Sequence, residues 1–274
     1  MSSILTNNGA MVALQTLKSI NSNLTQTQNQ ISTGKEIASA RDGSAIWGIS
    51  KVMESDVSGF KAVADSLSMG QATVQVASAG AEQIVEVLNE MKGRVVAGTG
   101  ENVDHTKLAA EVAEMVSQVE SIIGASQFNG FNLLNDDGDP LTVLSSIDRT
   151  DPTTVAASNI TVASVDFTSN LDLSDIDVSD STSAEASILL LEAHIQTAVN
   201  GAAALGASAA RIDSQAEFVS KVTDAMKSGI GAIVDTDMEE ASARLQALQV
   251  QQQLGTQALS IANQAPQSIL SLFR

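Results

Sequence analysis

From Ile46 onward an apolar residue returns at every seventh position: Ile46, Met53, Phe60, Leu67, Val74, Ala81, Leu88 and Val95. Three residues beyond each stand Ile49, Asp56, Val63, Gly70, Ala77, Ile84, Met91 and Gly98, apolar or small with Asp56 as the one misfit. Alternating steps of three and four keep a stripe on one side of a helix. The spacing therefore predicts a single long helix bearing a coiled-coil seam about 80 Å in length.

Gly98-Thr99-Gly100 interrupts the pattern, and Leu108, Val112, Met115, Val119 and Ile122 begin a second amphipathic helix that folds back on the first as an antiparallel hairpin. A third heptad run, Leu191, Ala198, Leu205, Ile212, Val219, Met226 and Ile233, follows much later in the chain. Three stripes of this length imply one bundle. Its expected core comprises Ile46, Met53, Phe60, Leu67, Val74 and Leu88 from the first run, with Leu205, Ile212, Val219 and Met226 from the third.

Both ends carry weaker stripes. Ala10, Leu17, Leu24 and Ile31 repeat by sevens, with Ala13 and Ile20 beside them, and Leu245, Leu248, Val250, Leu254, Leu259, Ile261 and Ala262 form a broad stripe that Pro266 is expected to kink or bound. Between the helical halves, Asn135-Asp136-Asp137-Gly138-Asp139-Pro140 is turn chemistry, and Leu141–Leu144 and Ile160–Val162 read as strands. Leu171, Leu173, Ile176 and Val178 alternate with Asp and Ser, which predicts a further short β segment. The expected fold is mainly α: a long antiparallel helical bundle with its N- and C-terminal helices paired and a small β-rich outer segment.

Composition sharpens the picture. Aromatic residues make up 3% of the 274 and alanine supplies much of the 43% apolar content, which suits close helix packing better than a thick globular interior. The net charge of −18 leaves no basic stripe for phosphates, so no nucleic-acid partner is expected. Half of that excess sits in residues 135–183, with ten acidic side chains against one basic. Residues 1–34 hold only Lys18, and residues 245–274 only Arg274. Amides break every apolar run in these ends short of the roughly 18 residues a membrane span needs, so no membrane insertion is expected. The opening Met1-Ser2-Ser3-Ile4-Leu5-Thr6-Asn7-Asn8 lacks the regions of a secretory signal peptide.

Little in the chain supports catalysis. It has no Cys and no Tyr, and its two histidines, His105 and His194, stand in no zinc-binding spacing. Asp136, Asp137 and Asp139 lack the alternating ligands and closing Glu of a calcium loop, and Gly229-Ile230-Gly231 has no strand before it to make a nucleotide loop. The expectation is a protein that is not an enzyme, with no cofactor and no metal. The uncharged, striped ends are a different matter, because one chain offers them too little core to cover. Leu14, Leu17, Leu24, Ile31, Leu248, Leu254 and Ile261 are the candidate self-association residues, buried only when copies dock. Head-to-tail contacts of that kind that do not close generate a helical polymer.

Ile31-Ser32-Thr33-Gly34-Lys35-Glu36-Ile37-Ala38-Ser39-Ala40-Arg41-Asp42 resembles the N-terminal signature of bacterial flagellins. Gln127-Phe128-Asn129-Gly130, Leu205-Gly206-Ala207, Arg211-Ile212-Asp213, Asp237-Met238 and Ala262-Asn263-Gln264-Ala265-Pro266-Gln267 resemble later motifs of that family, in the same order. The resemblance implies an inner filament-core domain from residues 1–40 and 235–274, a helical-bundle domain from 41–134 and 184–234, and a short variable surface segment at 135–183. It further implies a homopolymer in the extracellular flagellar filament for swimming motility, secreted through the flagellar type III export apparatus. The partners it implies are an export chaperone, that apparatus, a cap and hook-junction proteins. A hook–filament junction protein and a secreted monomeric adhesin or ligand are the alternatives.

Overall fold

The computed structural model describes residues 7–135, 139–151 and 154–272. In chain order these form α1 (Asn8–Thr33), α2 (Ser44–Ala97), α3 (His105–Ala125), β1 (Gln127–Phe128), β2 (Phe131–Asn132), β3 (Leu141–Asp151), β4 (Thr154–Val162), α4 (Phe167–Asn170), α5 (Ser181–Val234) and α6 (Met238–Leu272). The fold is mainly α, with its terminal helices paired and a small β segment. Two compact units share the chain: Met1–Ser55 with Ala225–Arg274, and Asp56–Asp224. The boundary thus falls inside the 54-residue helices α2 and α5, whereas the limits expected at 40 and 235 mark the connections between helices.

The second unit holds almost all of the core. Along α2, Phe60, Val63, Leu67, Val74, Ala77, Ala81, Ile84, Leu88, Met91 and Val95 are buried without interruption. Leu108, Val112, Val119 and Ile123 of α3 and Leu191, Ala198, Leu205, Ile212 and Val219 of α5 supply the facing rows. Ion pairing of Lys92 with Glu192 and a hydrogen bond from Gln71 to Asp213 join α2 to α5 outside the seam. Alanine content makes α5 apolar enough to cross a bilayer by length and composition, but its leucine and isoleucine row is packed in this bundle.

Small residues let the elements approach. A Cβ added at Gly201 would lie 2.7 Å from the Phe167 ring and closer still to Val165, and both are held by the packing around buried Phe167. Gly201→Ala is therefore expected to destabilise this unit by about 1–3 kcal/mol through overpacking, read as a lower Tm in a thermal melt. An unchanged Tm would mean that the strap carrying Phe167 yields freely.

The hairpin β3–β4 is longer than the apolar runs suggested, pairing Leu141 with Val162 and continuing to Asp151 with Thr154. It lies on α2: Val143 fills the space above Gly70, Ile147 that above Gly59, and the Leu144 N–H donates to Ser66 Oγ at 3.3 Å. Arg149 grips Asp56 through two bonds, Nη2 to Oδ1 at 2.5 Å and Nε to Oδ2 at 3.2 Å. That ion pair accounts for the one acidic residue in the heptad stripe.

Residues 171–178 correct the sequence reading. No strand forms there; Leu173–Asp175 is a 3-10 turn, and Leu171, Leu173 and Val178 are buried. The alternation of apolar and polar positions was real, but Asp and Ser satisfy the backbone locally. Asp172 Oδ1 accepts from the Ser174 N–H at 3.2 Å and Asp177 Oδ1 from the Ser179 N–H at 2.8 Å, so no partner strand is needed.

Ile46 also departs from its expected place. It is 41% exposed, while Met53 and Met226 are half-buried, because in the first unit neither α3 nor the hairpin accompanies α2 and α5.

Candidate assembly interface

Two chain reversals in the first unit set the terminal helices side by side. Gly34 ends α1 in the left-handed region at φ 69°, where glycine pays no Cβ penalty. The strand-like segment after it pairs with the α5–α6 connection: the Glu36 N–H donates to the Val234 carbonyl at 2.7 Å and the Thr236 N–H to that of Gly34 at 3.0 Å. Asp237 then caps α6, its Oδ1 accepting from the Glu239 N–H at 2.9 Å. Glu239 and Glu240 in the first turn favour the helix dipole.

From this start α1 and α6 run antiparallel. Asn21 Oδ1 accepts from Gln252 Nε2 at 2.7 Å, and at the far end Asn7 Nδ2 donates to the Ala262 carbonyl at 2.7 Å. The inner face of α1 is a heptad row of Ala10, Ala13, Leu17, Ile20, Leu24, Thr27 and Ile31, with Thr27 buried and its hydroxyl returned to the Asn23 carbonyl. Opposite lie Ala241, Leu245, Leu248, Gln252, Gly255 and Leu259 on α6, and Leu17 and Ile20 rest on Gly255. The helix continues past Pro266 to Leu272, so that proline does not bound it.

The candidate self-association residues therefore separate. Leu17, Leu24, Ile31 and Leu248 belong to the inner seam of the pair. Leu14, Leu254 and Ile261 point outward at 57%, 59% and 69% exposure, in company with Met11, Val12 and Val250, which the sequence reading left out of the candidates. Their signal was present: each lies about a third of a turn or more from the seam, on helices whose only charges among the described residues are Lys18 and, at the start of α6, Glu239, Glu240 and Arg244.

Burial is strongly uneven between the units. Of the 33 buried apolar side chains among the described residues, only Val234, Ala241 and Leu248 lie in the first unit. Of the 19 large apolar side chains that are exposed, 11 lie there. Charge is divided as sharply. The first unit has seven basic and seven acidic residues, and the second has seven basic and 25 acidic, so the whole net charge of −18 belongs to the second.

Among the described residues no group of three or more His, Asp or Glu side chains could hold a metal; Asp136 and Asp137 lie outside those residues. His105 opens α3 with Nδ1 3.0 Å from the Val178 carbonyl oxygen. Gly229 lies under the tip of Met53, a close approach of helices.

Several exposed carboxylates cap turns. Hydrogen bonds from the Ser39 hydroxyl and N–H hold Asp42 below the ordinary aspartate range, and those of Ser174 and Ser183 do the same for Asp172 and Asp180. A depressed native pKa means that the unfolded chain binds more protons as pH falls through the carboxylate range, so the stabilisation is present above that range and lost below it. The Tm is expected to hold from about pH 8 to 5 and to fall below about pH 4. A Tm that rises on acidification would contradict these caps.

A mainly helical chain whose two ends join in a neutral, nearly coreless pair, attached to a well-packed acidic bundle, is a subunit built for assembly. The family model of the bacterial flagellin N-terminal helical region matches residues 4–139, and that of the bacterial flagellin C-terminal helical region matches residues 188–273. A flagellin of Brucella melitensis is 41% identical over 100% of both chains. The Caulobacter vibrioides flagellin FljK is 38% identical over 100% of this chain and 99% of its own, and flagellin A of Rhizobium meliloti 31% over 100% of both. The chain belongs to the bacterial flagellin family. It is a structural subunit that self-assembles into the extracellular flagellar filament, and full-length likeness to flagellins sets aside the hook-junction and monomeric-adhesin readings.

Proposed function

We propose that α1 and α6 are the polymerising elements and that their lasting order depends on neighbouring copies. Fixing a residue costs about 1–2 kcal/mol of backbone entropy, and these helices span 26 and 35 residues while, among the described residues, burying only Thr27, Ala241 and Leu248 within the chain. Docking covers the outward row of Met11, Leu14, Val250, Leu254 and Ile261, at about 25 cal/mol per Å² of apolar area. Assembly and ordering are then one step. The concentration of exposed apolar side chains in a neutral unit is the observation that carries this reading.

A coreless pair of ends also suits passage through the flagellar type III export apparatus before assembly, with an export chaperone covering the C-terminal segment and cap and hook-junction proteins receiving the subunit outside. The protein acts through assembly, with no catalytic role and no nucleic-acid or membrane partner. Purified chain raised above its critical concentration in physiological salt is expected to yield filaments in electron micrographs and to sediment. Protein that stays monomeric at every concentration, with or without filament seeds, would sink the reading.

A further inference from the structure

We propose that Met11 is an oxidation site through which peroxides act on assembly: conversion of its thioether to the sulfoxide in the free subunit blocks docking of the outward face of α1, and the filament shields it. The proposal rests on the self-association reading above and adds to it a chemical modification of one residue on that face.

The methionines of the chain differ sharply in what surrounds the sulfur. Met91 is completely buried in the second unit, and Met53, Met115 and Met226 are half-buried. Three among the described residues are open to solvent: Met11 at 64%, Met69 at 57% and Met238 at 45% exposure. Exposure governs the access of a small oxidant to a thioether, so these three react first. Met69 belongs to the second unit, at a groove shared with Phe128 and Phe131. Met238 opens α6 beside the capping Asp237 and the acidic Glu239 and Glu240. Of the three, only Met11 stands in the outward apolar row. Leu14 and Lys18 follow it within about 60° around the helix. All three line one open groove of about 590 Å³.

The reaction is an oxygen transfer from hydrogen peroxide. A lone pair of the Met11 sulfur attacks one peroxide oxygen, the S–O bond forms as the O–O bond breaks, and proton transfer releases the other oxygen as water. Sulfur is oxidised by two electrons and the peroxide is reduced by two. A polar, chiral sulfoxide then stands where an apolar side chain stood. In the free subunit its oxygen stays hydrated, because this side chain is already mostly in water. Docking strips that water from a strong acceptor, so oxidation weighs against the assembled state and hardly against the folded monomer. Once docked, the sulfur is out of reach of the oxidant. Methionine sulfoxide reductases return the thioether, which makes the block reversible.

Because the chain has no cysteine, methionine is the main target of peroxide and the test is clean. Free subunits are treated with hydrogen peroxide until peptide mass spectra show Met11 and Met69 converted, then quenched and polymerised. Their critical concentration is expected to rise at least about tenfold with an unchanged Tm of the second unit. Met11→Leu keeps the apolar bulk without the sulfur, and after the same treatment it is expected to assemble within about twofold of its untreated level. Met69→Leu and Met238→Leu are expected to stay as sensitive as the wild type. Incubation of oxidised wild type with reductases for both sulfoxide epimers restores assembly, and in filaments given the same dose Met11 stays reduced. Normal assembly of wild type with Met11 fully oxidised overturns the proposal. Equal loss in treated Met11→Leu overturns it too, as does oxidation of Met11 in filaments as fast as in free subunits. If Met11→Leu assembles poorly before treatment, Met11→Gln decides without any oxidant, and its polymerisation at the wild-type concentration overturns the proposal. If Leu254→Asp fails to polymerise while oxidised wild type succeeds, the terminal-helix reading stands and this addition to it falls.

Discussion

Leu254→Asp is expected to abolish polymerisation while leaving a folded, soluble chain. Leu254 sits 59% exposed on the outward face of α6, with the seam residue Leu248 buried on the other side, so the substitution costs the isolated subunit almost nothing. On the proposed assembly the same position is covered in the polymer. Losing the leucine forfeits about 1.5–3 kcal/mol of burial, and an unpaired carboxylate in an apolar contact adds a comparable or larger penalty. At 1.4 kcal/mol per factor of ten, the critical concentration rises more than about a hundredfold. Sedimentation across a concentration series measures it, with the melting of the second unit as the folding control. Deleting residues 1–30 or 245–274 is the limiting case, and normal filaments from any of these variants would defeat the assignment. Leu248→Asp is different in kind, because it breaks the α1–α6 seam itself.

The second large effect is of salt. An assembly that sets copies of the second unit, each with 25 acidic and seven basic residues, close to one another would bring like charges together, while the neutral first unit would contribute no net repulsion. Like charges within a Debye length oppose addition of each subunit, and that length grows from about 8 Å at 0.15 M to about 30 Å at 0.01 M. Lowering NaCl over this range is therefore expected to raise the critical concentration by about tenfold or more. Replacing exposed aspartates of the second unit, Asp175 and Asp177 among them, by asparagine should flatten the dependence. A salt-independent critical concentration would show that the acidic surfaces do not face each other.

The sequence made the helical half of this account readable wherever a stripe had its partner in the same chain. From Phe60 to Val95 every heptad position read from the pattern is in the core, because α3 and α5 are there to cover it. Periodicity reports that a face is apolar and is silent on what covers it, which is why Ile46 was placed in the bundle and is found at the surface. Asp56 looked like a fault in the seam until the fold brought Arg149, 93 residues away, against it. The terminal stripes showed the same ambiguity: inward and outward apolar residues occur on both helices, and only the pairing of Leu17 with Gly255 separates Leu17 from Leu14. Around 171–178, alternation fitted both a strand and a series of side-chain-capped turns. The partition of charge was hidden for another reason, since the unit boundary lies within unbroken helices where composition does not change.

Amide hydrogen exchange on the same protein as free subunit and as filament tests the central claim most directly. The account predicts that residues 8–33 and 238–264 exchange rapidly in the free chain and become protected on polymerisation, while α2 and α5 from Phe60 to Val95 and Leu191 to Val219 are protected in both. Terminal helices already as protected in the free subunit as in the filament would contradict it.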